Sequence, residues 1–413
     1  MSVRRPWAVS ARLVAIGVAV LWLVTGGSGS ASSAQAAEYG QAREAPVVVD
    51  PQTVELIEAV LDQRQREVAA GEGSTSLHPD ASDDVRQRWA RATAGFAGVG
   101  MSVYEEELQR PVLDLTPPGL VGPDGEPVVV VEVTRHWAVE GVDPHPAADT
   151  LLLAVSTTSG TATVVHDDPL RRLGVTSSRT LWEVAEVTVE RDGGVVLVGE
   201  PSRAARMREV AGLLRRAHDT ISAIDPPAAY LVLVPTGADQ AKEFLQTPLD
   251  VSKFVAFVSF SVDRSESWQA GPPRLVLQEG NLRRRSTTRQ VAILAHELVH
   301  VDALADSGPL TPLWVHEGYA DWEANSRTAT ARGQLEIPEA HQFRSGSVGD
   351  IVAAYDASEA LFARVADLLG NDAPRRLFDE VGSARSVPGT LTHRVDEALA
   401  RLGLDRATLG GTS

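Results

Sequence analysis

The sequence contains no cysteine. Disulfides, thiol nucleophiles, cysteine-bound zinc and a lipid-modified cysteine anchor are therefore all excluded. Lysine is nearly absent as well: Lys242 and Lys253 are the only two, and arginine supplies the rest of the cations. Together with the richness in Ala and Val, this is the usage of a GC-rich genome. Positive charge itself is scarce, since 38 Lys and Arg face 55 Asp and Glu, a formal net charge of −17. So acidic a chain is a poor partner for nucleic acid or for an anionic lipid surface. There is no internal repeat, and no low-complexity tract beyond the small polar stretch from Gly26 to Ser33. The apolar run from Leu13 to Val24 is too short to cross a bilayer comfortably.

That run has a different use. Arg4, Arg5 and Arg12 precede or open it, and Ala34-Gln35-Ala36 offers a small-x-small cleavage site, with Ala37 as the new terminus. An export signal over residues 1–37 is expected, with an uncleaved membrane anchor as the other reading. Either places the bulk of the protein outside the cytoplasm, secreted or in the cell envelope.

With 413 residues, 43% of them hydrophobic, the chain is long enough for two or three domains with proper cores. A linker over 38–50 leads to an amphipathic helix, Pro51 to Ala70, and a second helix is expected over Arg86–Ala94. The pattern then turns to strands: Val99–Leu108, Pro127–Val139, Leu151–Thr157, Thr161–His166, Trp182–Val189 and Val195–Val198. Turn signals such as Pro123-Asp124-Gly125 and Asp192-Gly193-Gly194 separate them. Helix followed by curved antiparallel sheet resembles the NTF2-like cone fold, so an N-terminal α+β domain is expected over 51–200. After a break near Pro201, Ser202 is placed to cap a helix running to about Ile221. Strand Tyr230–Val234, helix Ala238–Leu245 and strands Phe254–Val262 and Arg274–Gln278 follow. A helix then opens at Thr287, with Gln290 at capping-box spacing. Helical patterns over Ile351–Leu369, Ala373–Val381 and His393–Leu402 complete a second domain over 201–413.

The chemistry concentrates in His296-Glu297-Leu298-Val299-His300. Histidines four apart on a helix share one face, so both imidazoles can meet a single Zn²⁺ ion. Glu297 is placed to reach a water on that ion. Three fixed positions arise by chance in roughly one chain in a hundred of this length, at average composition. A second signal is therefore needed, and Trp314-Val315-His316-Glu317-Gly318-Tyr319-Ala320-Asp321-Trp322 provides it. A hydrolytic zinc site takes three protein ligands and keeps one open position. Glu317, on a second helix packed against the first, supplies the third ligand. Asp321 lies one turn further on the same face, placed to accept from the outer nitrogen of a ligating histidine.

Here the sequence resembles the gluzincin metallopeptidases, in which HExxH is followed by a Glu on the next helix. It is most similar to the secreted actinobacterial branch of the peptidase MA-like metallohydrolases. The resemblance is specific from Ala292 to Trp322 and looser from Arg203 to Leu404. It implies a zincin-like domain, a bound Zn²⁺, a peptide or protein substrate, and a water deprotonated by Glu297 that attacks the scissile carbonyl. It also implies a strand beside the metal, Arg274–Gln278, able to pair with extended substrate. In related families a tyrosine on a later helix donates to the oxyanion. Tyr355 stands in that order, although it shares a helical face with Ile351, Phe362, Val365 and Leu369, which is also how a core residue stands. The strand that grips a free amine in aminopeptidases, Gly-x-Met-Glu-Asn, has no counterpart in Pro273-Arg274-Leu275-Val276-Leu277-Gln278-Glu279-Gly280, so an exopeptidase assignment lacks support.

Bland readings stand beside these. His316 points about 100° away from Glu317 and packs or lines the pocket. Arg283-Arg284-Arg285 reads as a solvated loop, with contact to an anionic substrate group as the other reading, and the remaining histidines as structural. A silent zincin-fold scaffold and a hydrolase of a non-peptide amide are the competing functions, and the N-terminal domain is free to bind a partner of its own.

Overall fold

The computed structural model describes residues 50–405, apart from 112–119, 172–174, 222–228, 246–249, 264–268, 306, 308–310, 326–336, 340–341, 344–347 and 383–390. The export-signal segment and the small-x-small site lie outside the described residues. Among the described residues no helix is long and apolar enough to cross a membrane.

Local signals set the first elements. Helix α1 (Pro51–Ala70) is capped by Asp50, whose Oδ1 accepts from Thr53 N at 3.0 Å, and ends at Gly71 with φ of 73°. Helix α2 runs from Asp83 to Val99, longer at both ends than the pattern predicts. Ser82 caps it, and Asp83 and Asp84 meet the positive end of its dipole. Strands β1 (Met101–Pro111), β2 (Val128–Val139), β3 (Ala147–Ser156) and β4 (Thr163–His166) then form an antiparallel sheet in simple meander order. The expected strand at Trp182 is instead a helical turn, α3 (Leu181–Val184). A capping box decides it: Glu183 accepts from Thr180 N at 2.6 Å, which bends the chain where apolar residues alone suggest extension.

A second sheet orders as β5 (Thr188–Asp192), β6 (Val195–Gly199), β7 (Tyr230–Val234), β11 (Arg274–Leu277) and β8 (Ala256–Ser259). β6, β7 and β11 are parallel, and β5 and β8 run antiparallel at the edges. A small hairpin, β9 (Val262–Asp263) with β10 (Gln269–Ala270), stands apart. Two expectations are corrected here. The strand Arg274–Gln278 does not offer an edge to substrate, because β7 and β8 flank it; the outer strand at that end is β8. The sheets also do not divide at Pro201, since the hairpin β5–β6 belongs to the second sheet, drawn there by parallel pairing of β6 with β7.

Alternation along these strands explains why. Leu197, Val232, Leu275 and Val258 face the C-terminal helices, whereas Val196, Val198, Leu231, Leu233, Phe257 and Val276 share a core with α1, α2 and the first sheet. Both faces of the sheet are buried, as a mainly parallel sheet requires. The molecule is thus a mixed α+β structure with two sheets and one layer of shared core between its halves.

On the far face lie α4 (Ala204–His218), the short α6 (Glu279–Leu282), α7 (Thr287–Ala305), α8 (Leu313–Ala324), α9 (Val348–Leu369), α10 (Ala373–Gly382) and α11 (Leu391–Arg401), whereas α5 (Ala238–Leu245) packs on the side of the N-terminal half. The N-cap of α4 is Arg203, not Ser202, because Pro201–Arg203 first makes a 3₁₀ turn. Nor is Thr287–Gln290 a capping box: Gln290 N bonds Ser286 O at 2.9 Å, and its side chain donates to Arg285 O at 2.9 Å.

Candidate metal centre

Helix α7 is apolar on nearly every side from Ile293 onward, and α8 is equally enclosed. A helix buried all round belongs in a core. His296, Glu297, His300 and Glu317 are nonetheless buried within these two helices. Polar groups in such surroundings are costly unless something binds them.

They converge. His300 Nε2 lies 2.9 Å from His296 Nε2, and Glu317 Oε2 lies 3.3 Å and 3.5 Å from those two nitrogens. One donor atom from each side chain falls within 4.8 Å of the others, the one such group of three among the described residues. Donor atoms on a tetrahedral zinc ion, each roughly 2.0–2.1 Å from it, stand about 3.3–3.4 Å from one another. The observed triangle fits that spacing. The donor chemistry fits as well, with two imidazoles and one carboxylate.

Asp321 accepts from His296 Nδ1 at 2.7 Å. That bond fixes the ring's orientation and turns Nε2 toward Glu317 and His300. Glu297 is fully buried, at 0% exposure, and neither of its carboxylate oxygens has a hydrogen-bond partner. Tyr355, on α9, is buried and hydrogen-bonds Glu317, so the residue with two readings reaches the cluster as well as the core; its ring also meets Phe343 edge-on at 5.4 Å.

Electrostatics follow from this crowding. Burial pushes Glu297 up to about 8, and the carboxylates of Glu317 and Asp321 add to it against the pull of His296. For His296 burial works downward, but Asp321 and Glu317 outweigh it and lift the ring to about 10. Burial lowers His300. It would raise Glu317, yet His300 and His296 hold that carboxylate below its ordinary range. Tyr355 is driven well above an ordinary phenol by burial and by the carboxylates of Glu317 and Asp321.

Neither a family model, nor a curated protein, nor a solved structure matches this chain. The site therefore stands on its own geometry: a buried group that can hold a metal ion.

His296, Glu297, His300, Glu317, Asp321 and Tyr355 are brought together. His316 turns into the core, edge-on to Phe378 at 5.4 Å, and burial lowers it to about 3, so the ring is neutral. Arg283 and Arg284 are exposed. Sequence reasoning missed Gly318. A Cβ there would come within 2.6 Å of Ser358 O and 2.9 Å of Phe362 Cδ2, so glycine is what lets α9 approach α8 closely. Its place beside Glu317 was the available signal. Arg375, which ties Asp302 of α7 to α10 at 2.6 Å, had none, because its partner is distant in sequence.

Proposed function

We propose that this protein is an exported, zinc-dependent hydrolase of peptide bonds, with a zincin-like arrangement of α7, α8 and the second sheet behind an NTF2-like N-terminal layer. One observation carries the reading: donor atoms of His296, His300 and Glu317 within 4.8 Å of one another, beside a buried Glu297 whose oxygens have no partner. The exported character rests on the N-terminal sequence pattern alone.

His296, His300 and Glu317 would hold the ion. When bound, zinc supplies a Lewis acid that acidifies water and polarises a carbonyl. The rest falls to side chains of this chain. Burial raises the proton affinity of Glu297, so its ionised carboxylate is the stronger base: it accepts the proton of the attacking water and returns it to the leaving amine. Tyr355 holds its proton far into alkali and donates a hydrogen bond to the carbonyl oxygen as charge builds there. Asp321 keeps His296 in the orientation that presents Nε2.

Glu297→Gln tests this. The expected variant retains zinc at the wild-type stoichiometry and loses turnover of a broad peptide library by at least about 10²-fold, the lower end of what a positioned general base contributes. Undiminished hydrolysis with zinc bound removes Glu297 from the reaction. A zinc-loaded wild type silent on every peptide rejects the peptidase reading in favour of a scaffold.

A further inference from the structure

The turn that leads into α7 carries charge of one sign. Arg283, Arg284, Arg285 and Arg289 fall within seven residues, and no Asp or Glu occurs between Glu279 and Glu297. Arg283 and Arg284 are exposed, and Arg285 and Arg289 are half-buried. Among the described residues none of the four has an acidic partner. The two flanking carboxylates are already engaged: Glu279 accepts from Arg203 at 2.9 Å and from Arg206 at 2.7 Å, and Glu297 is buried at the metal centre. The backbone beneath the arginines is held. Arg283 N donates to Glu279 O at 2.9 Å, Arg285 N to Leu282 O at 2.9 Å, and the Gln290 side chain to Arg285 O at 2.9 Å. The charges therefore stand on an ordered turn rather than on a free loop.

A chain of net charge −17 that gathers unpaired cations in one place presents a local field opposite to its own. At physiological salt charges act over only about 8 Å, so the patch is felt nearby despite the distant acids. Crowded like charges repel, and an anion relieves that repulsion; the guanidinium fork pairs with both oxygens of a carboxylate. The surroundings narrow the class of anion. Among the described residues the exposed large apolar side chains are Val121, Leu368 and Leu369, none of them aromatic and none on this turn. The patch therefore has nothing to insert into lipid or to stack on bases. A flat anionic membrane would also meet the acidic remainder of the molecule, whereas an extended acidic peptide touches the turn alone. Arg289 stands seven positions before His296 on α7, about two helical turns or about 10 Å along the axis, which an extended peptide covers in about three residues. We propose that Arg283, Arg284, Arg285 and Arg289 bind an acidic segment of a peptide or protein substrate, about three residues from the bond that is cut. That the segment belongs to a substrate rests on the hydrolysis proposed above; its binding to the turn does not.

Fluorescein-labelled hexaglutamate, titrated into the full-length protein stripped of metal, reads the binding by anisotropy apart from any turnover. Saturable binding is expected at low ionic strength, fading toward about 1 M salt, where charges act over only about 3 Å. Arg283→Glu with Arg284→Glu, both at exposed positions, should weaken it by at least about tenfold. Arg216→Glu, at another exposed arginine near the far end of α4 from Glu279, should leave it unchanged. With zinc bound, peptides carrying glutamates about three residues from the cut should show a lower KM than their glutamine counterparts, and the double variant should erase that difference. No saturable binding, an equal loss in Arg216→Glu, or binding to phosphatidylglycerol vesicles with none to hexaglutamate would each overturn the proposal. Binding with no hydrolysis of any peptide would reject the hydrolase and with it the substrate, whereas hydrolysis with no binding would reject this surface alone.

Discussion

Asp321 touches only one atom of the cluster, yet it decides which nitrogen His296 presents. Its side chain is partly exposed, so removing it leaves the core intact. Asp321→Ala is expected to fold normally and to weaken metal affinity by about 10–100-fold, measured by competition with a chelator of known affinity. Undiminished affinity would show that the ring is oriented by its packing alone. A second prediction concerns Glu67. Burial alone would raise this carboxylate, but Ser76, Trp89 and Thr75 hydrogen-bond it, and the net shift is downward. A carboxylate depressed in the folded state adds stability that is complete above its ordinary, unfolded pKa and is lost as pH falls through the lower folded one. Glu67→Gln should therefore flatten acid unfolding below about pH 4.3, followed by urea midpoints across pH. An unchanged slope would assign acid sensitivity to other groups. These residues differ in how far the sequence disclosed them. His296, Glu297, His300 and Glu317 were legible because helical spacing turns linear distance into facing direction. Tyr355 was ambiguous because a phenol at a helix-core interface serves both roles with one ring. Arg283-Arg284-Arg285 disclosed its charge but not its lack of partners, since only the fold shows Glu279 already taken by Arg203 and Arg206.

At the level of elements, the contact of α8 with α9 is set by a missing side chain. Gly318→Ala places a methyl group against the backbone of Ser358, which cannot retreat as a flexible side chain would. The expected cost is about 1–3 kcal/mol of stability, with α9 and therefore Tyr355 displaced from Glu317. Chemical denaturation and metal affinity check it together; an unchanged midpoint would mean that the helices part at little cost. Most element types were legible from periodicity, including α1, β7, α5 and the start of α7 at Thr287, whereas both caps read from the sequence fell elsewhere. The misreadings share a cause. At Trp182 a four-residue hydrogen-bonding box outweighed an apolar run, and at Ser202 a 3₁₀ turn delayed the helix by one position. Such short-range bonds cost the sequence only one or two polar residues and leave almost no periodic trace.

For the whole molecule, the interior strand face matters most. Val196, Val198, Leu231, Leu233, Phe257 and Val276 are covered by the N-terminal layer, each large apolar side chain being worth about 1.5–3 kcal/mol when withdrawn from water. A chain beginning at residue 188 is therefore expected to aggregate or to bind a hydrophobic dye, whereas the full chain does not. A monodisperse, cooperatively unfolding product from that truncation would show that the halves are independent. The break expected near Pro201 was misplaced because composition marks where a chain turns, not which sheet its next strand joins.

The order of strands in the second sheet carries a temporal consequence. β11 is the last of the five to be synthesised, and it must enter between β7 and β8, both made earlier. Until residue 277 emerges, the strands that will embrace it hold an open slot, and closing it joins segments far apart in the chain, a slow kind of step. The two histidines come only after that slot is filled, and their carboxylate partner later still. A nascent polypeptide therefore completes the group that could hold a cation only after every strand of the frame beneath it has been made.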